Sequence, residues 1–259
     1  DNKVAVLTAN YLLAAGNLYI VTYKIYPSGV VKVDARFTSA DMQVAESEVS
    51  EATRTATFTP GNDAARKAAA KLNVPRIGVR FRLPAEMNVV EYFGRGPEEN
   101  YIDRNAGTLI GLYKTTADKM YYNYVRPQEN GHHTDTRWLS LSKKGGKGLT
   151  IVADSIIGFN ALRNSIEDFD SEEALPHPRQ WNNFSPEEIA NHDEEAARNV
   201  LRRMHHVNDI TPRDFVEVCV DMKQQGVAGY NSWGARPEPG YTIPANQEYN
   251  WGFTLIPDK

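Results

Sequence analysis

Apolar and polar side chains alternate with a period of two in Asn17–Tyr26, Val30–Phe37, Gly78–Leu83, Asn88–Phe93, Gly148–Ala153, Phe215–Asp221 and Tyr249–Ile256. Successive side chains of a strand point to opposite faces, so runs of this kind bury one face and wet the other. Gly, Pro, Asn or Asp bounds each run, as strand ends require. Tyr26-Pro27-Ser28-Gly29 lies between two runs and predicts a hairpin, because Pro presets φ at the first corner and Gly tolerates a positive φ. No unit of roughly 20–50 residues repeats, which argues against propellers and solenoids. The expectation is an all-β chain whose 259 residues, 1–259, make one sandwich-type domain.

Two segments break the alternation and predict short helical insertions. Gly61–Leu72 carries Ala64-Ala65-Arg66-Lys67-Ala68-Ala69-Ala70-Lys71 behind an Asn62 cap. Asn182–Met204 opens with Ser185-Pro186-Glu187-Glu188: a capping Ser, Pro at the first helical position and acids at the positive end of the dipole. Between Arg163 and Val200 ten acids face three arginines, a local balance of −7 against −4 for the whole chain. Residues 163–204 therefore read as a solvated helical and acidic excursion, with an acidic docking surface as the other reading.

Lys and Arg are scattered and the net charge is −4, so no basic stripe is present to neutralise a phosphate backbone, and nucleic acid is not expected as a partner. The longest uncharged apolar runs, such as Leu12–Ala15 and Leu149–Ala153, fall far short of the roughly 18–20 residues of a membrane-spanning helix, so no membrane partner is expected either. Cys219 is the one cysteine and sits within an alternating run, where it reads as a small buried hydrophobe. It assigns no redox compartment, and cytoplasm and periplasm both stay open. The chain starts at Asp1 without Met or a signal-like stretch, which is expected of a segment excised from something longer or trimmed by processing.

Three stretches carry dense chemistry. Tyr92-Phe93-Gly94-Arg95-Gly96-Pro97-Glu98-Glu99-Asn100-Tyr101-Ile102-Asp103-Arg104 packs two glycines, a proline and a charged hydrogen-bonding set behind a strand. It fails as a phosphate cradle, since no Lys-Ser/Thr follows and its acids would repel an anion. A self-satisfied network pinning a long turn is one reading and a functional loop the other. The second stretch runs from Tyr124 to Trp138, with Glu129, Asn130, His132, His133, Asp135 and Arg137. The third, Gln225 to Pro237, presents Trp233 between glycines, where an indole either stacks on the apolar face of a sugar or plugs the end of the sandwich.

In this order the stretches resemble the C-terminal small-chain domain (domain 5) of the large retaining β-galactosidases of glycoside hydrolase family 2. The pattern runs through Pro75-Arg76-Ile77-Gly78, Gly94 to Arg104, Tyr124-Val125-Arg126-Pro127-Gln128-Glu129-Asn130-Gly131, Arg137-Trp138, His206 to Ile210, Gly226-Val227 and Asn231-Ser232-Trp233-Gly234-Ala235, with matches from about Tyr19 to Pro257. The resemblance implies a supersandwich similar to that of galactose mutarotase and a part in hydrolysing terminal non-reducing β-D-galactose. It implies catalytic glutamates on a barrel outside this chain, magnesium and sodium held mainly there, and no cofactor here. It further implies partnership with that barrel and its companion domains or a large subunit, a galactoside substrate, and a homo-oligomeric enzyme. Trp233 falls where the family places a tryptophan at the mouth of the galactose pocket, with Asn231 and Ser232 beside it. Glu99, Asn100, Asp103, Arg104, Glu129, Asn130 and Arg137 are expected to shape the concave sheet and its loops. Ala228 and Tyr230 stand where the family usually has Gly and Asp, and Arg163–Arg203 is longer than its usual connection.

Other activities fit the residues less well. Retaining hydrolysis needs two carboxyl groups about 5–5.5 Å apart, and inverting hydrolysis about 6.5–9.5 Å, one of them kept protonated. Glu98, Glu99, Glu129 and Asp135 sit among arginines, surroundings that favour the charged form. The isolated chain is therefore expected to be inactive. A mutarotase-like epimerase would use a His acid and a Glu base, yet no mutarotase motif surrounds His132, His133, His177, His192, His205 or His206. Adjacent histidines of a strand face opposite ways, so no metal site is expected from them. An independent carbohydrate-binding module would hold galactosides as an isolated chain, whereas a domain contributing one wall of a shared pocket would hold almost none.

Overall fold

A computed structural model describes residues 3–13, 16–39, 73–125, 129–169, 210–229 and 237–258. The helices expected at 61–72 and 182–204, and nearly all of the acidic excursion, lie outside these residues. The described chain forms ten strands, β1 Ala5–Leu12, β2 Leu18–Ile25, β3 Val31–Thr38, β4 Arg76–Pro84, β5 Val89–Gly96, β6 Leu109–Thr116, β7 His133–Ser142, β8 Gly148–Leu162, β9 Phe215–Gln224 and β10 Tyr249–Pro257. One short helix, α1, covers Ala117–Met120, and single 3-10 turns cover Ile166–Asp168 and Pro239–Tyr241. Among the described residues no helix is long and apolar enough to cross a membrane.

Every pairing is antiparallel, and the strands run β1-β2-β3-β10-β8-β7-β5-β6, with β9 on β8 and β4 on β9. The branch point is β8. Its first half pairs with β10 through Leu149↔Pro257 to Ala153↔Phe253, and its second half with β9 through Gly158↔Asp221 to Leu162↔Glu217. At fifteen residues β8 is long enough to serve both layers. The two sheets of the expected sandwich are thus joined in one hydrogen-bonded network. Irregular register in β7 between His133 and Trp138 lets that strand follow the bend. Within the irregularity Asp135 takes a left-handed φ of 54°, and Arg95 Nε donates to its carboxylate at 2.7 Å.

The hairpin expected at residues 26–29 forms, with Gly29 at φ +85° and its N–H donating to Tyr26 O at 2.9 Å. Three strands carry no clear alternation in the sequence and were not expected: β1, β6 and β7. β1 and β6 end the long path and have little burial to record; Leu7, Leu12, Leu109 and Leu112 are 59–79% exposed. His133–Trp138, part of the dense stretch that shows no clear alternation, is the first half of β7, and His133, Thr134 and Thr136 are buried with hydrogen-bond partners. The core fills the space between layers: Val33, Ala35, Val90, Leu139, Leu141, Ile151 and Phe253 meet Phe159, Ala161, Val216, Val218 and Val220. The even residues of β9 thus face this core, while Glu217 and Asp221 on its other face are ion-paired with Arg80, Arg82 and Arg76 of β4.

Candidate functional site

A cleft of about 640 Å³ opens at one end of the β4–β9 pair, where the chain leaves β9 through Gln225–Gly229. Pro75, Arg76, Tyr101, Arg104, Tyr124, Glu129, Gln224 and the stretch 225–229 line it, and so does Pro237. Gly229 and Pro237 are the described residues on either side of 230–236. Trp233, Asn231 and Ser232 lie outside the described residues.

Arg76 forms the floor. Its Nη2 donates to Gln224 Oε1 at 2.6 Å, Asn160 Oδ1 at 2.9 Å and Glu129 Oε1 at 3.1 Å, and its Nε stands 3.2 Å from Asp221 Oδ2. Asp221 is 1% exposed; burial pushes its carboxyl up to about 7, with Arg76 pulling the other way. Asn160 continues inward to His132 Nδ1 at 2.9 Å and to the Asn130 carbonyl. His132 is fully enclosed, and burial reinforced by the Arg76 charge depresses it to about 3. His133, whose ring nitrogens meet the Gly131 and Pro97 carbonyls, is lowered by burial as well.

A second cluster builds the side wall around Glu99, whose carboxylate is 8% exposed. It accepts from Arg104 Nη2 at 2.8 Å, Gly131 N at 2.7 Å, Tyr101 OH at 3.1 Å and the Tyr124 hydroxyl, filling its four acceptor positions. The Arg104 guanidinium lies 5.0 Å from the Tyr101 ring centre, and Tyr101 stacks on His132 at 5.7 Å. Asn100, fully buried, donates to the Arg95 and Glu98 carbonyls and accepts from Thr134 N and Oγ1. Asn130 closes onto the backbone of Tyr122 in both directions. The loops after β5 and before β7 are thereby fixed by side chains where strand pairing cannot reach them.

Asp103 reaches the third wall. Its carboxylate accepts from Val227 N at 3.1 Å and Ala228 N at 2.7 Å, which holds Ala228 and Gly229 at left-handed φ of 50° and 77°. A Cβ at Gly226 would come 2.4 Å from Asp103 Oδ2, so only glycine permits this approach. Six of the seven residues expected to shape the site, Glu99, Asn100, Asp103, Arg104, Glu129 and Asn130, therefore lie around one cleft or in the network behind it. Arg137 does not: it sits on β7 with its guanidinium 5.5 Å from the Phe93 ring.

Residues 1–255 match the family model for the β-galactosidase small chain. The chain belongs to the β-galactosidase small-chain family. It is 33% identical over 184 residues to a β-galactosidase of Priestia megaterium, covering 71% of this chain and 15% of that protein. A β-galactosidase of Arthrobacter sp. (strain B7) is 40% identical over 124 residues, 46% of this chain and 12% of the relative. One of Streptococcus thermophilus is 26% identical over 186 residues, 71% and 15% respectively. The chain thus spans about one seventh of the length of these relatives.

Small-chain residues the sequence did not single out complete the site. Asn160, Asp221 and Gln224 are polar positions on otherwise apolar strands, and they become a group only when β8, β9 and β4 align. Among the described residues, Glu99 is saturated by donors, Glu129 is held by Arg76, and His132 and His133 are enclosed. Among the described residues no group of three or more His, Cys, Asp or Glu side chains is placed to hold a metal ion.

Proposed function

We propose that this chain serves as the small-chain domain of a β-galactosidase hydrolysing terminal non-reducing β-D-galactose, and that it shapes the sugar site without supplying its catalytic glutamates. In this reading Trp233 is a stacking platform, Asn231 and Ser232 flank it, and the barrel of the same enzyme provides the reacting carboxylates together with any magnesium or sodium. The observation that supports it is the cleft rim: Gly229 and Pro237, the described residues that flank 230–236 in sequence, both line a preorganised polar cleft. A platform raises occupancy and orientation and transfers no proton.

Trp233→Ala in the complete enzyme tests the role. Loss of one stacked ring, about 1.4 kcal/mol, corresponds to roughly a tenfold rise in KM for a galactoside. Unchanged KM and unchanged inhibition by sugars bound at the pocket mouth would remove Trp233 from the site.

A further inference from the structure

The cleft carries more chemistry than a support for one tryptophan needs. Tyr124 offers a half-buried ring whose hydroxyl is fixed by Glu99 and Arg104, and Glu129 spends one carboxylate oxygen on Arg76. Gln224 gives its carbonyl oxygen to Arg76, and Gln225, whose backbone N–H is tied to Pro75 O at 2.9 Å, is a lining residue of the cleft. An aromatic face beside a carboxylate and primary amides matches a pyranose, which has an apolar face and a rim of hydroxyls that both donate and accept.

Charge narrows the class of ligand. Arg76 is engaged by Asp221 and Glu129, and Arg104 by Glu99, so neither guanidinium is left without a carboxylate for an anion. A phosphate or a sugar acid would meet three carboxyl groups against two guanidiniums. The volume of about 640 Å³ falls within the usual range of roughly 300–1,000 Å³ for small-molecule sites. The walls are also held before any ligand arrives: Asp103 pins 227–228, Glu99 pins Tyr124 and Arg104, and Arg76 pins Glu129 and Gln224. Fixed walls lower the ordering cost of binding.

We propose that this cleft is itself a subsite for one neutral pyranose unit, gripped by Tyr124, Glu129, Gln224 and Gln225. The proposal rests on the reading of this end of the domain as carbohydrate-facing, and it adds a site that does not depend on the indole. Affinity on the order of 1–10 mM is expected, as suits an open cleft contacting one sugar ring.

The test is a titration of the 15N-labelled 259-residue chain with lactose, galactose and galacturonate, followed by amide NMR. Saturable shifts of the Gln225–Gly229 amides and the Gln224 side-chain amide are expected with lactose or galactose, and weaker ones with galacturonate. Gln225→Ala and Glu129→Gln should each weaken binding at least about threefold while leaving the remaining spectrum unchanged. Among the described residues Gln225→Ala removes no side-chain hydrogen bond, and Arg76 keeps its other acceptors when Glu129 is changed. Absence of saturable shifts up to about 100 mM, shifts mapping elsewhere, undiminished binding in both variants, or equal affinity for galacturonate would each overturn the proposal. Cleft binding alongside a KM indifferent to Trp233→Ala would sink the platform and keep the subsite; a responsive KM with a silent cleft would do the reverse.

Discussion

Removing the Glu99 carboxylate gives the sharpest stability prediction. Glu99→Ala strips four donors of their acceptor at once. Two have nowhere else to turn: Tyr101 is 1% exposed, and Gly131 N–H is buried. A buried donor left unsatisfied costs about 1–3 kcal/mol. Arg104 is half-exposed and Tyr124 partly so; water replaces their bonds at little cost. The expected loss is about 2–6 kcal/mol, a large share of the roughly 5–15 kcal/mol that holds a domain folded. Glu99→Gln keeps a carbonyl oxygen that accepts two of the four bonds, so it should lose about half as much. Urea unfolding followed by tryptophan fluorescence reads both values from the shift in midpoint at constant slope. Glu99→Ala within about 0.5 kcal/mol of the parent, or Glu99→Gln as damaging as Glu99→Ala, would refute the reasoning.

Other positions give independent checks. At Gly78→Ala the new Cβ would lie 2.1 Å from Asp221 Oδ1 and 2.8 Å from the Val220 carbonyl, so the β4–β9 pair must shift; a loss of about 1–3 kcal/mol is expected in the same urea assay, and a neutral result would contradict the close approach. His132 is held neutral by burial, so its imidazole NMR signal should not titrate between about pH 5 and 8, and burial lowers His133 as well; an apparent pKa near 6.5 for either would show that ring to be solvated. Unfolded histidines take up protons that these two refuse, so their contribution to stability is present above about pH 6.5 and is lost as pH falls. Asp221 works in the opposite direction, because its folded carboxyl holds a proton up to about pH 7 that the unfolded chain releases near 4. Asp221→Asn should therefore make stability fall more steeply between about pH 6.5 and 4; an unchanged slope would mean Asp221 is ionised in the fold.

Legibility in the sequence followed burial contrast. β2, β3, β4, β5, β9 and β10 were readable because at least part of each strand alternates between a core-facing and a polar side. β1 and β6 leave Leu7, Leu12, Leu109 and Leu112 in solvent and so carry no contrast to read. The alternation of β8 breaks at Asp154-Ser155, where the strand passes from one layer to the other, so only its first half was visible. In the site, the loop residues around Glu99 announced themselves by crowding Gly, Pro and charge into a short stretch. Asn160, Asp221 and Gln224 did not, since their meaning lies in a register across three strands. Arg76, Arg80 and Arg82 alternate visibly along β4, but the acids that answer them are about 140 residues away on β9.

The central proposal is that this domain faces a sugar and that carboxylates elsewhere in a larger enzyme break the bond. Hydrolysis of a chromogenic β-galactoside by the purified chain and by the complete enzyme containing it tests that claim most directly. The account predicts turnover by the complete enzyme and none above buffer by the chain. Turnover by the chain alone, abolished by Glu129→Gln, would contradict it.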